Sequence, residues 1–205
     1  MIAEPMTVLT DYALAGVTGW LAFALYRSRE GRRSRSFWTL AFAALALAAL
    51  LGGTWHGFAA RLPESAVILV WKATVLSVGI ASFGMLAGSA AAAATSAGME
   101  KALLAIAAAK LALYSAWMLF HSEYVYVIAD TGFALAVVAA LHAGSAFRRR
   151  DSASPWILAG VGASLAAAGV QASGFDLHRH FNHNDLYHVI QIGAMLLFYA
   201  GAGRL

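Results

Sequence analysis

Histidine and carboxylate side chains crowd into one short segment near the end of the chain, Asp176–His188. A further histidine, His56, stands in the segment Gly52–Gly57. Imidazole and carboxylate ligands together suit zinc, whose catalytic sites keep three protein ligands and one open position for water. Five of the seven histidines lie in these two segments: His56, His178, His180, His183 and His188.

The spacing within this segment limits which side chains can act together. On a helix, Asn184 and His188 are four residues apart and Asp185 and His188 are three apart, so each pair shares a face. His183 precedes His188 by five residues, and both point inward only if His183 lies in an unwound first turn. We expect His56, His188 and either His183 or Asp185 to be the metal ligands. A polar or proton-relay network without metal is the alternative interpretation.

Other polar residues could support such a site. Outer-shell hydrogen bonds orient metal ligands and fix their protonation. We expect Asp185 to serve as a ligand or general base, and Asp130 or Glu64 to orient a ligand or accept a proton. The remaining side chains that we expect near the cavity are Asn184, Thr54, Tyr187, Trp55 and His180.

The composition predicts that these residues are held by membrane-spanning helices. Of the 205 residues, 61% are hydrophobic and only 12% are charged, and the mean hydropathy is +0.70. Soluble domains carry about 25% charged residues. The chain has no cysteine, which excludes disulfides, thiolate nucleophiles and cysteine-ligated metal centres.

Seven segments are apolar and long enough to cross a bilayer, which takes about 20 residues per helix. We therefore expect an all-α membrane protein with one seven-helix transmembrane domain over residues 1–205. No loop between the segments is long enough to hold a soluble domain. The expected spans are Leu9–Tyr26, Phe37–Ala60, Ser65–Ala94, Ala102–Phe120, Tyr124–Phe147, Pro155–Ala172 and Leu186–Ala202.

The basic residues predict the orientation of the spans. Ten lie in the loops after the first, third and fifth spans or in the C-terminal tail, and two lie on the opposite side. The first group includes the run Arg148–Arg150, and the second consists of Arg61 and Arg179. Because cytoplasmic loops are enriched in Lys and Arg, we expect the N-terminus outside and the C-terminus in the cytoplasm. We interpret the arginine runs as topology signals and expect no nucleic-acid partner.

The arrangement of these residues resembles the CREST superfamily, seven-span membrane proteins that include alkaline ceramidases and adiponectin/progestin-type receptors. That family has a His at the end of the second span, with a Ser four residues before it. An Asp follows near the start of the third span, and His-x-x-x-His enters the seventh. The similar features here are His56 and the segment Asn184–Gly193, in which Tyr187 precedes His188.

The chain departs from the family pattern at three positions. Asn184 stands where the family has the first His of His-x-x-x-His, with His183 displaced by one residue. Gly52 stands in place of the Ser, with Thr54 as the nearest hydroxyl, and Glu64 is the acid nearest the start of the third span. The resemblance implies that zinc would be held by His56, His188 and His183, with Asp185 as the substitute.

The resemblance implies a zinc-dependent intramembrane hydrolase that cleaves an amide or ester bond of a membrane lipid near the outer face. The alternative is a non-enzymatic seven-span protein that binds or transports an ion, a proton or a small ligand. A retinal protein is excluded because residues 186–202 contain no Lys for a Schiff base. The short loops favour a bacterial inner (plasma) membrane.

Overall fold

Seven α-helices make up the fold of the computed structural model, which describes residues 2–149 and 151–205. The expectation of an all-α protein is confirmed for these residues. Arg150, predicted to lie in the loop after the fifth span, falls outside them. The helices are α1 (Pro5–Arg27), α2 (Arg33–Phe58), α3 (Glu64–Ala93), α4 (Ala97–Phe120), α5 (Tyr124–Arg149), α6 (Ser154–Ser173) and α7 (His183–Ala202), with a 3-10 turn at Ala59–Arg61.

The helices α1 to α6 are long and apolar enough to cross a membrane, which fits an integral membrane protein. The helix α7 is not among these six, and its first turns carry His183, Asn184, Asp185 and His188. Many large apolar side chains lie on the bundle surface, as lipid contact requires. Examples are Leu113 on α4 and Phe147 on α5.

Six helices form a closed ring, and α4 lies outside it. Going round the ring, α1 packs on α2, α2 on α3, α3 on α5, α5 on α6, α6 on α7, and α7 on α1. The helix α4 packs on α3, and its buried residues are Ala107, Tyr114 and Met118. A cavity at the centre of the ring can therefore be lined from six helices.

Small residues bring neighbouring backbones into contact at two places in the ring. A Cβ atom at Gly84 of α3 would lie 2.8 Å from both the backbone nitrogen of Ala41 and the carbonyl oxygen of Phe37 on α2. A Cβ atom at Gly201 of α7 would lie 3.1 Å from the carbonyl oxygen of Ala153. Such close approach gives van der Waals packing where lipid supplies no hydrophobic drive between helices.

A buried ion pair holds the outer helix α4 to the ring. Lys110 Nζ of α4 lies 2.6 Å from Asp130 Oδ1 of α5 and 2.8 Å from Ser82 Oγ of α3. The two charged side chains are only 13% and 4% exposed. Charged groups inside a bilayer are expensive unless they are paired. The pair therefore fixes how α4 sits against α3 and α5.

The two ends of the bundle differ in the residues they carry. We call the end at which α1, α3, α5 and α7 begin the His end, because it holds His56 and His188. The opposite end, the Arg end, holds Arg32, Arg33 and Arg204.

Replacing Gly84 with Ala should destabilise the protein, because the added methyl group meets the backbone of α2, which cannot rotate away. Overpacking of this kind costs about 1–3 kcal/mol. Thermal unfolding in detergent measures the loss. The control is Gly16→Ala on α1, where a Cβ atom meets nothing within 4 Å. Equal unfolding temperatures for the two variants would contradict the close contact between α2 and α3.

Replacing Lys110 with Met should destabilise the protein strongly, because it leaves the buried Asp130 carboxylate without its cation. Breaking a buried pair by removing one partner costs about 3–5 kcal/mol. The double variant Lys110→Met/Asp130→Leu should recover most of the loss in the same unfolding assay. Lys72→Met is the control, because Lys72 Nζ donates to the carbonyl oxygens of Met118 and His121 and leaves no carboxylate behind.

Candidate functional site

A cavity of about 220 Å³ lies inside the ring at the His end, and we call it the His-end cavity. Six helices contribute to its wall, so it forms only when the ring is closed. It combines ionisable, amide and aromatic side chains, which is typical of a ligand site. Its polar and aromatic residues are Asp11, Trp55, His56, Trp71, Thr74, Tyr124, Gln171, Asn184, Tyr187 and His188.

His188 is held between two residues of α1. Its Nε2 atom lies 3.2 Å from Asp11 Oδ1, and its Nδ1 atom lies 3.1 Å from Thr10 Oγ1. The residue is 7% exposed. Because both ring nitrogens have partners, the imidazole has one fixed orientation, and the contact joins α7 to α1.

Asp11 has one oxygen engaged and one free. Its Oδ1 atom faces His188, whereas its Oδ2 atom is buried and has no hydrogen-bond partner among the described residues. The residue is 4% exposed and lines the His-end cavity opposite Gly52. An unsatisfied buried polar atom costs about 1–3 kcal/mol, and more when the group is charged. A small movement of the side chain would let the Oδ2 atom accept a hydrogen bond from a molecule in the cavity.

His56 reaches the same cavity from the last turn of α2. Its Nδ1 atom lies 3.2 Å from Glu4 Oε2, and its ring stands edge-on to Trp55, with centroids 5.4 Å apart. The backbone N–H of Ala3 donates to the carbonyl of Gly57 at 3.2 Å, which holds the residues before α1 against the end of α2. His56 and His188 thus line one cavity, each with a carboxylate beside it.

Aromatic rings form one wall of the His-end cavity. The ring centroids of Trp55 and Trp71 are 5.0 Å apart, and those of Trp71 and Tyr124 are 6.2 Å apart. Tyr124 interacts in turn with Tyr187 and with Gln171. Gln171 Nε2 donates to Asn184 Oδ1 at 3.2 Å, so the aromatic wall continues into a polar network between α6 and α7.

A second, apolar cavity of about 200 Å³, here called the deep cavity, continues from the first towards the middle of the bundle. Its lining includes Trp38, Phe42, Met195 and Phe198, and Gln191 is among its few polar residues. The two cavities share five lining residues: Leu45, Val78, Tyr124, Gln171 and Tyr187. A polar compartment thus lies next to an apolar one.

Two of the predicted ligands have other partners. His183 Nδ1 lies 2.9 Å from Asp176 Oδ1 in the loop before α7, and this hydrogen bond is the main reason why the pKa of Asp176 lies below its usual value. Asp185 Oδ2 accepts from the backbone N–H of Asn182 at 2.8 Å, as the acidic partner in the capping box that starts α7. Neither residue lines the His-end cavity.

The other predicted residues fall into two groups. Asn184, Tyr187 and Trp55 line the His-end cavity. The rest lie outside that lining: Asp130 pairs with Lys110, Glu64 is exposed, Thr54 Oγ1 lies 3.1 Å from the Tyr12 hydroxyl, and His180 is exposed in the loop before α7.

The structure also brings several residues to the cavity, or beside it, that are not among the predicted site residues. They are Asp11, Glu4, Thr10, Trp71 and Tyr124. An acid within the first turns of an apolar helix is itself a signal, because an intramembrane carboxylate is kept only with a partner or a function.

The predicted zinc ligands do not come together in this structure. Among the described residues, no three His, Asp or Glu side chains are close enough to share one ion. His188 would have to release Thr10 or Asp11 before a nitrogen could bind a metal, and His183 is turned towards Asp176. The zinc site therefore stays a prediction.

No curated protein and no solved structure matches the chain. A family model does match it, over residues 6–205. That range contains all the residues that line the two cavities, so the cavities lie within the part that the family model covers. The chain therefore belongs to the family of unknown function DUF6962.

Proposed function

We propose that this protein binds an amphipathic lipid, with the polar head in the His-end cavity and the alkyl chain in the deep cavity. The observation that carries the proposal is the set of five lining residues that the two cavities share. Together the cavities fall in the lower part of the range of about 300–1,000 Å³ that is typical of small-molecule sites. A molecule that is polar at one end and apolar at the other matches this pair.

We also propose that all seven helices span the membrane, with the N-terminus outside and the C-terminus in the cytoplasm of a bacterial inner membrane. The ten-to-two distribution of basic residues supports this orientation. Three residues in the first turns of α7, Asn184, Tyr187 and His188, line the His-end cavity and need no lipid contact. In this orientation the His-end cavity opens towards the outer leaflet.

The wall between α5 and α6 offers a route for a lipid. The deep cavity reaches the bundle surface there, since its lining residues Ile128 and Leu165 are each 55% exposed. An alkyl chain could enter sideways from the bilayer without crossing water. The lipid would then be a ligand taken from the membrane itself.

A photoreactive amphiphile tests this proposal directly. We expect a single-chain alkyl probe with a diazirine near its chain end to label the peptides of α5 and α7 that line the deep cavity, in protein held in nanodiscs. Val78 lines both cavities, so Val78→Trp should lower this labelling several-fold by blocking the passage between them. Mass spectrometry of the labelled peptides measures the effect.

The matched control is Leu113→Trp, which adds the same ring on the lipid-facing side of α4, where Leu113 is 73% exposed. This variant should label like the wild type. Labelling confined to lipid-facing residues in the wild type, with no effect of Val78→Trp, would overturn the proposal of a joined lipid site.

Hydrolysis of a lipid amide or ester is the second candidate, and the Asp11–His188 pair favours it. A carboxylate that orients an imidazole beside a substrate cavity is the usual arrangement of a general base. Thr10 Oγ1 also lies 3.1 Å from the carbonyl oxygen of Thr7, so its hydroxyl can turn to the backbone. The Nδ1 atom of His188 would accept a proton from water only after the Thr10 side chain rotates away from it.

The hydrolase candidate predicts that His188→Asn lowers turnover of a fluorogenic long-chain ester or amide by about 10²–10⁴-fold, the usual contribution of a general base. His183→Asn should change turnover little, because His183 lies outside the cavity. Loss of turnover on chelation, restored by zinc, would support the metal-dependent version. No turnover of either substrate by the wild type would remove the hydrolase candidate and leave lipid binding in place.

A further inference from the structure

We infer that the polar head recognised by the His-end cavity is a positively charged nitrogen, an ammonium group on an alkyl chain. The inference rests on the proposed lipid-binding function and names the class of its ligand. Two features of the cavity carry it independently: an excess of carboxylates and a wall of aromatic rings.

The carboxylates near the cavity outnumber the groups that could neutralise them. Asp11 lines the cavity, and both Glu4 and Asp185 lie within electrostatic range of Asp11. In the described part of the chain, no Lys or Arg side chain lines this cavity. When all three carboxylates are ionised, a proton on both His56 and His188 would still leave a net negative charge. The site therefore attracts a cation and repels an anionic head group.

Asp11 also supplies the contact that an ammonium group needs. Its Oδ2 atom is buried without a hydrogen-bond partner among the described residues, and the side chain lines the cavity. After a small movement of the Asp11 side chain, a donor from the ligand would satisfy this oxygen. Charge-assisted hydrogen bonds of this kind are roughly twice as strong as neutral ones.

The aromatic wall supplies the second attraction. Trp55, Trp71, Tyr124 and Tyr187 line the same cavity as Asp11. The faces of such rings attract cations, and aromatic cages are a recurrent way to bind ammonium groups. A neutral alcohol would satisfy Asp11 but would gain nothing from the rings, and a carboxylate would meet like charge.

Two kinds of lipid head group carry a positively charged nitrogen. A primary amine donates hydrogen bonds to Asp11, whereas a quaternary, choline-type head has no donor and depends on the rings and the charge. Competition against the diazirine probe separates them. The competitors share a dodecyl chain and differ only in the head: amine, trimethylammonium, hydroxyl or carboxylate.

We expect the two ammonium compounds to displace the probe from the deep cavity at about tenfold lower concentration than the alcohol, as a desolvated cation–π contact predicts. The carboxylate should be the weakest competitor. Asp11→Asn should reduce the advantage of the amine over the alcohol, because the aromatic rings remain. Trp71→Leu should weaken the trimethylammonium compound more than the amine, whereas Trp71→Phe should keep most of the preference.

The matched control is Glu123→Gln, which removes an exposed carboxylate at the same end of the bundle, outside the cavity lining. It should leave the order of competitors unchanged. Labelling of the deep cavity by the probe in Asp11→Asn reports that the variant is folded.

Equal competition by the alcohol and the ammonium compounds in the wild type would overturn the inference while leaving the lipid site intact. An unchanged preference for ammonium in both Asp11→Asn and Trp71→Leu would overturn it as well. If the probe labels only lipid-facing residues and no competitor reduces its labelling, the proposed lipid-binding function itself is wrong. The two failures are thus distinguishable in one experiment.

Discussion

The buried contact between His188 of α7 and the pair Thr10–Asp11 of α1 closes the helix ring at the His end. Polar groups inside a bilayer find no water, so their partners must come from the protein. This requirement fixes the register between the first and last helices. With that register set, Asp11 and His56 both line the His-end cavity, and the deep cavity lies next to it.

Much of the architecture could be predicted because a bilayer allows few alternatives. Long apolar segments become helices, since only a helix satisfies its backbone groups internally. His56 lies near the end of the second predicted span and His188 near the start of the seventh, so the sequence places both near one face of the membrane. Both line the His-end cavity.

The partners of individual side chains could not be predicted in the same way. Asp185 is used in the capping box of α7, a local geometry that depends on where the helix starts. His183 turns to Asp176 because the loop before α7 folds back on itself. The sequence does not indicate a partner for Lys110, since its ion pair with Asp130 depends on how α4 and α5 dock. Helix periodicity does not encode such docking.

The glycine contacts join helices of the ring in pairs. The backbones of α2 and α3 touch at Gly84, and those of α6 and α7 touch at Gly201, so each pair resists bending as a unit. Because Lys110 of α4 pairs with Asp130 of α5, an outward movement of α5 would either carry α4 with it or break this ion pair.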